Sequence, residues 1–189
     1  MRTKLKKFSH FPIIASLLLI LAVLGGSVLY QEYLLAHATK IILKTAPLDP
    51  RDPFRGDYVI LRYEIQDQAI EWLQRHEFHQ LLIGRRQKAY FILKPKAYKA
   101  QVVSLERVTT EKPHQDQLFI AADISTYKTN NEELKYSVYL PDISQYYVTE
   151  GQGKKIEDKR EGLHVEIALV QAKARVLRLL DENLQTLTW

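Results

Sequence analysis

Tyr58-Val59-Ile60-Leu61-Arg62-Tyr63-Glu64-Ile65 is the run that decides the fold class. It is rich in β-branched and aromatic residues, and its side chains alternate. Val59, Leu61, Tyr63 and Ile65 share one face; Tyr58, Ile60, Arg62 and Glu64 share the other. The run therefore predicts a strand, with the first set turned to a core.

Upstream lies Ala46-Pro47-Leu48-Asp49-Pro50-Arg51-Asp52-Pro53-Phe54-Arg55-Gly56-Asp57, which holds three of the chain's seven prolines within seven residues. Each proline removes a donor and constrains its predecessor, which predicts a stiff loop rather than a helix or central strand. Before it, Thr39 to Thr45 (TKIILKT) reads as a first strand. Downstream, Ile70 and Leu73 recur at helical spacing, so one helix is expected from Asp67, as its cap, to Leu82. Strands are expected at Ala89–Leu93 and Lys99–Val108, separated by a break at Lys94-Pro95-Lys96. Thr109–Gln117 is polar and reads as a loop. Leu118–Tyr127 and Leu134–Leu140 read as paired strands around Thr129-Asn130-Asn131-Glu132, and Ser144–Thr149 as a short extended run. Leu163–Leu180 is expected to be a hairpin, although the Ala, Leu and Arg content of its second half favours helix by propensity.

Phe11 to Tyr30 (FPIIASLLLILAVLGGSVLY) is 20 residues long and carries no charge. That matches the roughly 20 residues a helix needs to cross a hydrocarbon core of about 30 Å. Arg2, Lys4, Lys6 and Lys7 precede it, which predicts a cytoplasmic N-terminus and export of everything after Tyr30. A cleaved signal peptide is the competing reading. Its two small-residue sites are Gly25-Gly26-Ser27, inside the apolar run, and Ala36-His37-Ala38, well beyond it. Neither follows the apolar core closely, which favours a retained anchor. The expected organisation is a basic N-terminus (1–10), an anchor (11–30), a stalk (31–38) and one extracytoplasmic domain (39–189). That domain is expected to be mainly β (a β-rich α+β type), an antiparallel sandwich- or barrel-like body with one short helix. A chain of 189 residues suits one core plus an anchor.

Composition excludes several function classes. With no cysteine there is neither disulfide framework, thiolate zinc site nor Cys nucleophile. The net charge of +5 comes largely from the four basic residues before the anchor; the rest holds 23 basic against 22 acidic residues, a net of +1. Those charges are mixed along the chain, which argues against nucleic-acid binding.

The run Gly56-Asp57-Tyr58-Val59-Ile60-Leu61-Arg62-Tyr63 fits G-D-Y-x-x-L-x-Y at every specified position. With Pro47 to Arg55 before it, the stretch closely resembles the bacterial GDYXXLXY family. Tyr146-Tyr147-Val148-Thr149-Glu150-Gly151-Gln152-Gly153, followed by Ile156-Glu157, is similar to a later segment of that family, with Thr149 where proline is expected. The resemblance implies a membrane-anchored envelope protein of the periplasmic side and, through the family's association with multi-pass membrane proteins, an integral membrane partner. It implies no activity and no cofactor. The helical piece around Glu71 to Leu82 lies outside what the resemblance accounts for.

Two readings of the motif compete. Asp49, Arg51, Asp52, Arg55 and Asp57 put three carboxylates and two guanidiniums within nine positions, enough for a pocket holding a cation or polar headgroup, walled by Tyr58 and Tyr63. Alternatively Asp57 ties down a turn after Gly56, the arginines pair with neighbouring acids, and Leu61 and Tyr63 are core. The structural alternative explains the residues without a ligand. Glu150, Gly151 and Gly153 read as turn residues, because no Lys-Ser/Thr ending follows to make a phosphate loop. His76 and His79 flank Glu77 at i and i+3 with no third metal ligand signalled. A Ser/Lys hydrolase of the signal-peptidase kind lacks its nucleophile, since no serine occurs between Tyr30 and Leu43, and Ser104 has no evident lysine partner. The 11 tyrosines suit half-buried strands. What remains is a non-enzymatic envelope component that binds a membrane protein, with a ligand-binding module as the alternative.

Overall fold

A computed structural model of the chain describes residues 11–46, 58–76, 84–96, 99–114, 116–129, 131–148, 162–170 and 173–187. It divides into two compact units, Met1–Ala38 and Thr39–Trp189.

The first unit is one helix, α1 (Phe11–Ala36). Its 26 residues span about 39 Å at 1.5 Å each. Within Ile13–Ala36 an 18-residue stretch reaches a mean hydropathy of 2.5, and the helix is long and apolar enough to cross a membrane. The helix continues past the expected end at Tyr30. Helical hydrogen bonding carries on to His37, whose N–H donates to the Tyr33 carbonyl at 3.3 Å.

The second unit is mainly β, as expected. Its strands are β1 (Thr39–Lys44), β2 (Tyr58–Ile60), β3 (Arg86–Lys96), β4 (Lys99–Thr109), β5 (Phe119–Lys128), β6 (Leu134–Tyr139), β7 (Gln145–Tyr147), β8 (His164–Val170) and β9 (Lys173–Leu180), with one short helix, α2 (Glu64–Arg75). Seven strands form a sheet in the order β6-β5-β3-β4-β1-β8-β9, curled into a half-barrel, and β2 pairs with β7 as a separate ribbon. Every pairing is antiparallel except β1 with β4, where Ile42 stands opposite Val102. β1 tolerates that central place because it is apolar on both faces. Ile41 and Leu43 enter the main core, whereas Ile42 packs with Val102, Leu180 and Leu184 on the other side. The curl brings β9 towards β5, and the Ala174 N–H donates to Asp142 Oδ2 at 3.1 Å, joining β9 to the turn after β6.

α2 lies against β4, β6 and β1. Ile65, Ala69 and Leu73, one helical turn apart, are its buried face. The helix starts at Glu64, not Asp67, and the expected eight-residue strand is correspondingly shortened to Tyr58–Ile60. The cause is local: Gln66 Oε1 accepts the Tyr63 N–H at 2.9 Å, capping the helix three residues earlier. Asp67, the expected cap, sits in the first turn and pairs with Arg62. The helix ends at Arg75, and the remainder of the expected helix, 77–82, lies outside the described residues.

Near β3 one expectation changes, and at the C-terminus the expected hairpin forms. β3 runs through Pro95 instead of breaking there. Its pairing with β5 stops at Ile92, so no β5 partner is needed at Pro95, and a bulge follows between Pro95 and Lys96. The second half of the C-terminal hairpin is a strand: pairing with β8 along its whole length overrides helix propensity.

Candidate functional site

The two sequence segments singled out above meet. Tyr58 pairs with Tyr147, Val59 with Tyr146 and Ile60 with Gln145. Direct partners project to the same side, so Val59 and Tyr146 form an inner face, packed on the main core. Ile60, Gln145 and Tyr147 form the outer face, with Ile60 44% and Tyr147 73% exposed.

Beyond β2 the chain stays extended for three residues and is pinned on several sides. The Leu61 N–H donates to the Ser144 carbonyl at 2.8 Å, and the Arg62 carbonyl accepts from the Ala46 N–H at 2.8 Å. Tyr63 forms an antiparallel bridge with Thr45. Leu61 and Tyr63 are both buried, Tyr63 completely. The Tyr63 phenol donates to the Ile143 carbonyl at 2.8 Å. Burial pushes its pKa far above the ordinary tyrosine range, so it is held as a neutral donor. Val59, Leu61, Tyr63 and Ile65 thus all face the core, as the alternation predicts, even though the last belongs to a helix. The periodicity survives because the bend at Tyr63 turns Ile65 inward in the first helical turn.

A pocket of about 280 Å³ lies beside this segment. One wall is Ile60, Leu61 and Arg62 with Gln66 and Ile70 of α2; the other is β6 with Tyr127 of β5. Gln66 bridges the walls, its Nε2 donating to the Val138 carbonyl at 2.9 Å. The rim is aromatic. Tyr127 is 48% and Tyr139 38% exposed, and the Tyr139 and Ser144 hydroxyls are hydrogen-bonded at 2.9 Å. The Arg86 guanidinium lies over the Tyr139 ring, 5.5 Å from its centroid. The polar groups are therefore engaged with each other, and what faces solvent is mostly ring and aliphatic surface. Such a surface suits contact with an apolar or aromatic group more than bond-making chemistry.

Of the residues the sequence pointed to, Tyr58 holds the first position of β2, and Leu61 and Tyr63 are core. Asp49, Arg51, Asp52, Arg55, Gly56, Asp57, Glu150, Gly151 and Gly153 lie outside the described residues, as do Glu77 and His79. His76 donates from Nδ1 to the Trp72 carbonyl at 2.8 Å and stacks on the Trp72 ring. Among the described residues, no group of three or more metal-ligating side chains occurs. Ser104 stands opposite Lys94 in the β3–β4 register, but Lys94 is exposed, not the desolvated amine that activates a serine. Ile60, Tyr127, Tyr139 and Tyr147 contribute exposed surface that no specified position of the sequence motif marks. Ile60 was signalled by its place on the non-core side of the alternation. The tyrosines were not, because which strands meet at the pocket depends on long-range register.

The GDYXXLXY protein family model matches residues 20–179, most of the chain. The chain belongs to the GDYXXLXY family. The function of this family is unknown, so membership carries no activity with it. No curated protein and no solved structure matches the chain. The GDYXXLXY motif itself falls across the start of β2 and the pinned segment: its tyrosine at 58 opens the ribbon, while its leucine and second tyrosine, at 61 and 63, lock the ribbon to the core.

Proposed function

We propose that this GDYXXLXY protein is a non-enzymatic, membrane-anchored component of the bacterial envelope whose exported domain docks an integral membrane protein. The observation that carries this is the solvent-facing cluster of Ile60, Tyr127 and Tyr139 around the pocket, with Tyr147 on the outer face of the adjoining ribbon. Large apolar and aromatic side chains gathered at one place on a surface mark an interaction site, and tyrosine is favoured there. α1 supplies the anchor, and the basic residues before it put the N-terminus inside and the domain outside. An anchored domain searches only the membrane surface, which raises the effective concentration of a partner in the same bilayer. Asp49, Arg51, Asp52, Arg55 and Asp57 immediately precede the ribbon in sequence, and we assign them to the same contact.

The test is affinity capture of the full-length protein from mild-detergent membranes, with Ile60→Asp and Tyr147→Asp alongside Asp57→Ala and Arg55→Ala. A stoichiometric membrane protein retained by the parent and lost from folded variants is the expected result. Capture that is empty, or indifferent to all four substitutions, removes the proposal.

A second reading is favoured by the pocket itself, whose volume of about 280 Å³ suits a small ring or a short chain. In that case the domain binds a ligand between Arg62 and the tyrosines. A thermal-shift screen of the full chain would then give a stabilising compound whose effect Tyr127→Ala abolishes.

A further inference from the structure

We propose, resting on α1 as a retained anchor, that the end of the domain next to α1 in the chain is a contact surface for anionic lipid headgroups, formed by Lys40, Lys173 and Arg175. Only His37 and Ala38 lie between the end of α1 and the start of β1. At 3.8 Å per residue step, Thr39 cannot be farther than about 11 Å from the end of the helix. The two intervening residues are themselves bonded back to the helix, the Ala38 N–H donating to the Leu35 carbonyl at 3.3 Å. The covalent connection thus keeps the beginning of β1 within that distance of the end of α1.

The sheet register brings the tip of the β8–β9 hairpin to that same end. Thr39 pairs with Leu169 and Lys40 with Ala168; Leu169 then pairs with Ala174, Ala168 with Arg175 and Val170 with Lys173. Cross-strand partners share a face, and so do residues two apart in one strand. Lys40, Arg175 and Lys173 therefore project from one side, the one opposite the main core. With neighbouring strands about 4.8 Å apart, Lys40 and Arg175 are separated by about 10 Å, and Lys173 stands about 7 Å further along β9. Headgroups in a bilayer are spaced on that scale.

All three side chains are exposed. Five other cations are paired: Lys44 with Glu64, Arg62 with Asp67, Arg75 with Glu71, Arg86 with Asp123 and Arg178 with Glu166. Exposed lysines such as Lys128 and Lys135, at the far edge of the sheet, are not paired among the described residues. What sets Lys40, Lys173 and Arg175 apart is their common face at the end of the domain joined to α1. Among the described residues, Lys40, Lys173 and Arg175 have no such carboxylate. Of the acidic groups nearby among the described residues, Glu166 is paired with Arg178, and Asp142, which accepts the Ala174 N–H at 3.1 Å, is the one carboxylate that keeps its charge beside β9. Glu32, in the last turns of α1, is the one opposing charge on the anchor side. Each cation brought to an anionic surface favours contact by roughly fivefold, so three together favour it by on the order of 100-fold. An acidic protein could satisfy the same charges, but the two-residue connection makes the bilayer the surface always within reach.

The chain's lack of cysteine makes the test direct. The full chain carrying Val170→Cys, labelled with an environment-sensitive fluorophore, is reconstituted in nanodiscs of phosphatidylcholine alone or with added phosphatidylglycerol. The expected result is blue-shifted emission only in the anionic discs, reversed by raised salt. The shift should vanish in Lys40→Gln/Lys173→Gln/Arg175→Gln and persist in Lys128→Gln/Lys135→Gln, with circular dichroism unchanged in both. Identical emission in the two lipid compositions from chain retained in the discs overturns the proposal and leaves the anchor standing; an acidic protein as the true occupant gives this outcome. Chain that is recovered cut within residues 25–38 overturns the anchor and this proposal together.

Discussion

Tyr63→Phe removes one oxygen atom from the centre of the domain, and its consequence can be worked out at two pH values. The phenol donates to the Ile143 carbonyl at 2.8 Å from a position with no solvent exposure. Phenylalanine keeps the ring and its packing, so what is lost is the hydrogen bond and the partner left to a buried carbonyl. That cost is about 1–3 kcal/mol. For a unit of the size of Thr39–Trp189, each kcal/mol lowers Tm by about 2–4 °C, so a fall of roughly 2–12 °C is expected at neutral pH. The assays are thermal and urea denaturation of the full chain in nanodiscs, followed by tryptophan fluorescence, to which Trp72 on α2 contributes.

The second pH supplies the sharper check. Burial raises the Tyr63 pKa in the folded chain, whereas the unfolded phenol releases its proton near pH 10. Above that pH the unfolded state binds fewer protons than the folded one, so this group's contribution falls with rising pH, at about 1.4 kcal/mol per pH unit. The contribution is complete below pH 10 and is lost progressively above it. Phenylalanine has no such term, and the other tyrosines cancel in the comparison. The stability gap between parent and Tyr63→Phe should therefore narrow from pH 10 upwards. A variant as stable as the parent at pH 7 would refute the role of the hydroxyl. A gap that stays constant up to pH 11 would refute its burial.

Gln66→Ala should cost more than one hydrogen bond, roughly 2–3 kcal/mol, because the side chain serves both the Tyr63 N–H and the Val138 carbonyl. Gln66→Glu restores only the acceptor, so denaturation should place it between the parent and alanine. Gly162 has φ +81, and a Cβ there would lie 2.2 Å from Glu182 Cγ. Gly162→Ala should cost roughly 1–3 kcal/mol from the left-handed backbone, with the clash added. Gly162→Ala/Glu182→Ala, measured by the same denaturation, should recover the clash and not the backbone term.

Local pattern made much of the architecture legible. Ile120, Ala122, Ile124 and Thr126 alternate inward on β5, the polar run 129–132 turns the chain, and Glu132 there takes φ 61. The apolar run of α1 needs no partner to be recognised. What stayed hidden was set at a distance. The bond that starts α2 is local, from the Tyr63 N–H to Gln66, but the Gln66 side chain is oriented by a second bond to a residue 72 positions away. The parallel contact of β1 with β4 leaves no trace in either strand beyond their apolar faces. Sequence pointed to both halves of the ribbon as separate segments, but their pairing, and hence the common outer face of Ile60 and Tyr147, follows only from register. The charged loop residues 49–57 were conspicuous for composition, which says what chemistry is available and not where it is aimed.

The alternation from Tyr58 to Tyr63 separates what the fold requires from what it leaves free. Leu61 and Tyr63 hold together three elements that would otherwise part: the end of β1 through Thr45, the turn after β6 through Ile143 and Ser144, and the start of α2 through Gln66. Packing and hydrogen bonding account fully for a leucine at 61 and a tyrosine at 63. No such account covers Ile60, 44% exposed on a ribbon whose inner face already anchors it. A polar side chain there would cost the fold little, since surface positions away from special features change stability by about 0.5 kcal/mol at most. Ile60 lies beside exposed Tyr127 and Tyr139, and on the proposed reading a second surface covers the three together. If Ile60→Asp folds as stably as the parent and yet loses the partner, the two roles of the segment are separated by a single position in the alternation.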